Sequence, residues 1–305
     1  MILKRIDVNP LQTDSAKRAF VLSEDLRLER DMIEVARQIS RIPDLRLLGL
    51  TGPTCSGKTT AANKLTDYLE RHGRRVHVIS VDDFYYDIEI LHRKAELDPD
   101  VEIDYDSEET INVELLEQKA ESLIACQPTA MPRFDFKTGK RTEGQTIVPK
   151  QSDIFLFEGI QILYPKVNAI LESQCYRSIY ISPASSLHVA GFDFEPNEIR
   201  LMRRLVRDYR YRATTPEFTF YLWESVRANE EKSIFPNAAS CHYFIDSTMP
   251  YEIGMLKPYL QQILSEVSAT EHGYDTSQVI LKKLASVEPI ASEWMTENSL
   301  YKEFI

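Results

Sequence analysis

Apolar residues recur at mostly helical spacing between positions 23 and 41, at Leu26, Leu28, Met32, Ile33, Ala36 and Ile39, and Pro43 closes the run. This predicts an N-terminal helix packed on the core. From residue 45 the pattern alternates between short, mostly apolar runs and amphipathic stretches. The runs at 45–50, 76–81, 154–157 and 178–181 predict buried strands. The stretches at 58–72 (stopped by Gly73), 112–125 and 161–171 predict helices. Alternation of this kind implies a parallel sheet covered on both faces. A helix at 197–212, a strand at 243–245 and helices at 251–267 and 276–284 follow, before an irregular end.

Composition narrows the class. The chain has 305 residues, and 43% of them are hydrophobic, enough for a large core. No apolar run approaches the roughly 20 residues that span a bilayer, and residues 1–20 mix charge with apolar positions and lack a signal-peptide core. A cytoplasmic protein is expected. Cys55, Cys126, Cys175 and Cys241 are far apart, with no C-x-x-C pair and no His at zinc spacing, which argues against a structural metal or a disulfide framework. The formal net charge of −11 repels nucleic acid and anionic membranes. The expected partner is a small molecule, with a homo-oligomer left open.

Residues 52–59 read Gly52-Pro53-Thr54-Cys55-Ser56-Gly57-Lys58-Thr59, a complete G-x-x-x-x-G-K-S/T loop between an expected strand and an expected helix, with Thr60 next. The glycines let backbone amides turn onto phosphates, Lys58 reaches the β/γ oxygens, and the Thr59 hydroxyl is placed for Mg²⁺. The positive helix end adds to the cradle. Cys55 lies beside Lys58 and that helix end, both of which favour a thiolate, although a small loop residue is an equal reading.

The run ending in Ser80-Val81-Asp82-Asp83-Phe84-Tyr85-Tyr86 puts carboxylates at a strand's carboxyl end, where an open α/β sheet binds its ligand. Asp82 is the expected general base for an acceptor hydroxyl; the alternative is a capping pair. The run Ile154-Phe155-Leu156-Phe157-Glu158-Gly159 ends in an acid suited to hold Mg²⁺. Arg200, Arg203, Arg204, Arg207, Arg210 and Arg212 crowd one expected helix. They suit a phosphate-contacting lid, although some must pair with carboxylates and only two or three are expected to touch substrate. Alternating aromatic and polar residues at 132–141 read either as a slot for a flat ring or, about two to one, as an ordinary edge strand.

Taken in order, Gly-Pro-Thr-Cys-Ser-Gly-Lys-Thr, Ser-Val-Asp-Asp-Phe-Tyr, Tyr-Asp-Ser-Glu-Glu-Thr, Pro-Arg-Phe-Asp-Phe-Lys-Thr-Gly-Lys-Arg, Phe-Glu-Gly-Ile and Arg-Arg-Leu-Val-Arg-Asp closely resemble the phosphoribulokinase/uridine kinase family from about Arg37 to about Pro258. Among its members, the longer bacterial nucleoside or uridine kinases share the ending Glu297-Asn298-Ser299-Leu300-Tyr301-Lys302-Glu303-Phe304-Ile305. The resemblance implies a P-loop NTPase-type three-layer α/β/α fold with a central, mostly parallel sheet. Residues 1–44 would form an N-terminal helical extension, 45–267 the kinase domain with an Arg-rich lid at about 200–236, and 268–305 an extension packed on the core.

It also implies ATP and Mg²⁺ as cofactors, Asp82 as base, Glu158 as the Mg²⁺-linked acid, Asp106 as the holder of ribose hydroxyls, and Arg204 and Arg207 near substrate and phosphates. Tyr85, Phe134, Phe136 and Arg141 complete the expected substrate site. The family's pyrimidine-reading Tyr, His, Arg and Gln align with Phe134, Gly139, Thr214 and Leu222. Weak separation of nucleobases is therefore expected, or room for a larger ring in the space Gly139 leaves. The expected activity is ATP-dependent phosphorylation of a small molecule, first of all the 5′-hydroxyl of a ribonucleoside. The alternatives are a kinase of another sugar or alcohol and a nucleotide-binding regulator that has lost turnover. A GTPase is disfavoured, because Asn63-Lys64-Leu65-Thr66 lacks the acid of a guanine reader.

Overall fold

The computed structural model describes residues 4–97, 107–173 and 175–305. Strand β1 (Arg5–Val8) leads into α1 (Asp14–Ser40), which starts where the Thr13 hydroxyl accepts from the Ala16 amide. Next come β2 (Leu47–Thr51), α2 (Lys58–Arg71), β3 (Val76–Ser80), the 3₁₀ turn Val81–Phe84, α3 (Ile88–Leu97), α4 (Val113–Ile124), β4 (Thr129–Asp135) and β5 (Lys140–Ile147). Then follow β6 (Ile154–Glu158), α5 (Pro165–Glu172), β7 (Tyr176–Ser182), β8 (Ser186–Val189), β9 (Phe192–Phe194), α6 (Pro196–Arg212) and α7 (Pro216–Asn229). A π turn, Glu230–Ile234, joins α7 to α8 (Phe235–Ala238), and β10 (Tyr243–Asp246), α9 (Glu252–Ser265) and α10 (Tyr274–Leu284) complete the order.

Five strands form the central sheet in the order β10-β7-β2-β6-β3, and every neighbouring pair is parallel. Helices cover both faces, so the three-layer α/β/α architecture holds. Double coverage explains why β2 and β6 read as unbroken apolar runs. One core joins Leu28 of α1, Leu65 of α2, Met202 of α6 and Leu256 of α9 with the tail residues Leu300, Tyr301 and Phe304. The other packs Leu116 of α4 and Val167 of α5 against Phe155 and Phe157. The carboxyl ends of β2, β3 and β6 share one edge, where an open α/β sheet places its ligand.

The structure departs from the sequence pattern in several places. The helix expected at 161–171 is a 3₁₀ turn, Ile160–Leu163, followed by α5, because Pro165 lacks an amide and suits only a helix's first turn. Residues 132–141 are not an edge of the central sheet. They lie in an antiparallel ribbon of β4 and β5, separate from it. A small sheet of β1, β8 and β9 has strands of only three or four residues, too short to carry a period. Helix α1 begins well before the expected residue 23. Among the described residues, no helix is long and apolar enough to cross a membrane.

Candidate active site

The loop between β2 and α2 is shaped by backbone that few residues tolerate. Gly52 has φ +151°, and a Cβ there would collide with the Ile181 carbonyl oxygen on β7. Cys55 sits at φ +58° and is only 3% exposed, which removes the ready access that thiol chemistry needs. Gly57 caps α2 at φ +92° with no side-chain bond. The first amides of α2 therefore lie at its positive end with no partner inside the helix; that of Thr60 donates to Glu303 at 3.4 Å. Ser56 Oγ is buried and has no hydrogen-bond partner among the described residues. Lys58 Nζ donates to the carbonyl oxygens of Gly52 and Pro53, both at 3.0 Å.

Two acids face this loop. Asp82 lies in the 3₁₀ turn after β3, and Glu158 ends β6, in register with Ser80 on β3. The Ser80 hydroxyl donates to Glu158 Oε1 at 3.2 Å. Gln161 Nε2 donates to Asp82 Oδ1 at 2.6 Å and to the Tyr85 hydroxyl at 2.9 Å, which fixes the carboxylate's direction. Burial pushes the Asp82 carboxyl up, against the Gln161 bond and the Lys58 charge. Burial likewise raises Glu158, against Lys58. Burial lowers the Lys58 ammonium, against Glu158, Glu303, Cys55 and Asp82.

Helix α6 sorts its arginines into two sets. Arg200 and Arg203 point into the core and brace the phosphate loop from behind. Arg200 pairs with Glu230 and donates to the Thr54 carbonyl at 2.9 Å; Arg203 pairs with Glu252 at 2.7 Å and donates to the Cys55 carbonyl at 3.2 Å. Glu230 also accepts from the Thr54 amide at 3.2 Å. Arg204, Arg207 and Arg212 instead line a cavity of about 510 Å³, together with the loop, Asp82, Glu158 and Gln161. Asp208 holds Arg204 at 3.1 Å and Arg207 at 2.7 Å. Arg210 joins neither set, stacking on Tyr259 at 4.9 Å.

The rings of Tyr85 and Phe136 also line this cavity. Tyr85, Phe134 and Phe136 form a triangle with centroid separations of 5.6, 6.1 and 5.1 Å, and Phe136 is 67% exposed. Asp83 accepts from the Phe134 amide at 2.9 Å and so ties the ribbon to the Asp82 turn. Arg141 acts behind the triangle: its guanidinium donates to the Tyr85 carbonyl at 3.1 Å, and its amide donates to Asp87 at 2.7 Å. Gly139 leaves no room for a larger ring. It turns the ribbon at φ +65°, and the Ile88 side chain fills the space where a Cβ would stand. Asp106 lies outside the described residues.

Gln161, Glu230 and Glu303 are site residues that pattern reasoning did not single out. Gln161 follows the Phe-Glu-Gly run by two positions and carried no signal of its own. Glu303 belongs to the ending at 297–305, from which only packing on the core was expected.

The profile of the Phosphoribulokinase / Uridine kinase family matches residues 47–253, from the first residue of β2 to the start of α9. The uridine kinase of Lactobacillus helveticus is 26% identical over 54% of this chain and 69% of its own length. That of Halobacterium salinarum is 25% identical over 75% of this chain and 93% of its own. Uridine kinase-like protein 5 of Arabidopsis thaliana is 29% identical over 53% of this chain, and the match spans only 30% of that longer protein. Among solved structures, a possible uridine kinase from Bacillus stearothermophilus aligns with 71% of this chain and 98% of its own, at 20% identity and a TM-score of 0.46. The profile match takes in more than half of the chain and encloses the loop, both acids and the cavity-lining arginines, so the chain belongs to the phosphoribulokinase/uridine kinase family.

Proposed function

We propose that this protein is an ATP·Mg²⁺-dependent kinase that phosphorylates the 5′-hydroxyl of a ribonucleoside. The observation that carries the reading is the convergence of Lys58, Asp82 and Glu158 on one cavity with Arg204 and Arg207, lined also by the rings of Tyr85 and Phe136, against which Phe134 packs. The N-terminal amides of α2 and the Ser56 hydroxyl, which has no partner among the described residues, suit a polyphosphate. Thr59 and Glu158 offer oxygen donors of the kind a hard cation takes.

Bound ATP·Mg²⁺ supplies the phosphoryl group, with Thr59 and Glu158 the residues that would hold the metal. Asp82 takes the proton of the acceptor hydroxyl, and Gln161 keeps its carboxylate aimed at the cavity. Lys58, Arg204 and Arg207 stabilise negative charge on the phosphoryl oxygens. Tyr85, Phe134 and Phe136 stack the nucleobase, and Asp106 holds the ribose hydroxyls by its place in the sequence motif. Stacking on these rings discriminates bases weakly.

The test is release of ADP by purified protein with each common ribonucleoside and with a set of phosphorylatable sugars. Turnover with ribonucleosides of more than one base is expected. Turnover with sugars alone would refute the nucleoside reading.

A further inference from the structure

The phosphate loop already holds an anion supplied by the protein. Glu303, in the 3₁₀ turn Leu300–Glu303, accepts from the Thr60 hydroxyl at 3.0 Å and from the Thr60 amide at 3.4 Å. That amide is one of the unsatisfied donors at the N-terminus of α2, the kind of group that receives a phosphate. Glu303 lines both the active-site cavity and a second cavity of about 450 Å³ alongside α1 and α2, so it stands where the two meet. Its charge reaches Lys58, as do those of Glu158 and Asp82. A few residues away, the buried Ser56 hydroxyl, without a hydrogen-bond partner among the described residues, marks the same loop as built for a ligand it can hydrogen-bond.

The segment that carries Glu303 is firmly seated. The Leu300 side chain fills the space over Gly57. The rings of Tyr301 and Phe304 lie 5.3 and 5.0 Å from the Arg203 guanidinium, and Leu300, Tyr301 and Phe304 are all buried. Burial of three large side chains outweighs one pair of hydrogen bonds to Thr60. The backbone of the segment therefore stays in place, and the partly exposed Glu303 side chain can turn about its own bonds without unseating it.

We propose that Glu303 sets nucleotide affinity and is a residue of the donor site. Its carboxylate competes with a nucleotide phosphate for the Thr60 amide and hydroxyl and turns aside when the nucleotide binds. This rests on the loop being the nucleotide site, and it extends that reading to a segment outside the matched family region. Two anions cannot share one donor pair beside Lys58 without repulsion, so removing the charge at position 303 should tighten binding. A role confined to structure gives the opposite sign, because loss of the Thr60 contact would loosen the loop and weaken binding.

Calorimetric titration of the full chain with ADP and with ATP·Mg²⁺ tests this, comparing wild type with Glu303→Gln. The expected Kd for Glu303→Gln is lower by roughly three- to thirtyfold, the order by which a charge-assisted hydrogen bond to Thr60 exceeds the neutral one that glutamine could still make, with the KM for ATP falling in parallel. Glu303→Asp, which draws the carboxylate back from Thr60, should tighten binding less than Glu303→Gln does and guards against a folding defect in the latter. Lys58→Ala serves as the control for the loop. Binding that depends on Lys58 but is unchanged or weaker in Glu303→Gln overturns this proposal alone. No nucleotide binding by either wild type or Glu303→Gln overturns both this proposal and the kinase reading.

Discussion

Arg203→Met separates the scaffold of the phosphate loop from its chemistry. Arg203 and Glu252 are both fully buried. The guanidinium donates to Glu252 at 2.7 and 3.0 Å, to the Ser247 carbonyl at 2.7 Å and to the Cys55 carbonyl at 3.2 Å. Burial alone would push its pKa down, but Glu252 more than offsets this and holds the guanidinium firmly charged. Methionine keeps much of the side-chain volume, so the cavity cost is small. What remains is a buried Glu252 without its cation, which costs about 3–5 kcal/mol. At about 2 °C per kcal/mol for a chain of this size, the thermal midpoint should fall by roughly 6–10 °C.

The double variant Arg203→Met/Glu252→Leu removes the stranded charge and should recover much of that loss, less about 1 kcal/mol for the Met249 amide, which now donates to Glu252. Urea denaturation at constant m measures both values. A single-variant cost below about 1 kcal/mol, or a double variant less stable than Arg203→Met, would refute the reasoning.

Other outcomes follow from the same geometry. Asp82→Asn should reduce kcat by roughly 10²–10⁴ while ATP affinity stays close to wild type; near-normal turnover would eliminate Asp82 as the base. Because burial raises the Asp82 carboxyl, kcat should fall with decreasing pH at values above the ordinary aspartate range. Gln161→Leu removes a bond that lowers this pKa, so the acid limb should move to still higher pH, and a limb that moves down would contradict the assignment. Away from the site, burial would raise Asp153, but Arg75, the Lys150 amide and His77 bring it down to about 2. A depressed folded-state pKa contributes stability above the unfolded value and loses it as pH falls through the folded one. Asp153→Asn should therefore cost about 2 kcal/mol near neutral pH, with the difference from wild type closing between about pH 4 and pH 2. Cys55, at 3% exposure, should react with a thiol reagent far more slowly than exposed Cys175, as mass spectrometry of partly labelled protein would show.

The central sheet was legible because β2 and β6 are covered on both faces and so read as nearly unbroken apolar runs. The loop was legible because its glycines and Lys58 stand at fixed spacing. The small sheet was not, since strands such as β9 are shorter than two side-chain alternations. The arginines of α6 show a second limit. Helical spacing placed Arg200, Arg203, Arg204 and Arg207 close together, but which ones face a ligand depends on Glu230 and Glu252, far away in the sequence. Gly139 shows a third. A missing side chain suggested open space, and Ile88 from α3 had filled it.

The phosphate loop emerges early during synthesis, yet its braces come from Arg200, Arg203, Glu230 and Glu252. Contacts that distant form late, because the intervening chain must be made and ordered first. A nascent chain halted before α6 would carry every residue of the G-x-x-x-x-G-K-T sequence without the carboxylates and guanidinia that hold Thr54 and Cys55 in place. Ligand binding stabilises only the species that can bind. If the loop is the nucleotide site, added nucleotide should protect the loop from proteolysis only in chains that also carry α6 and α9.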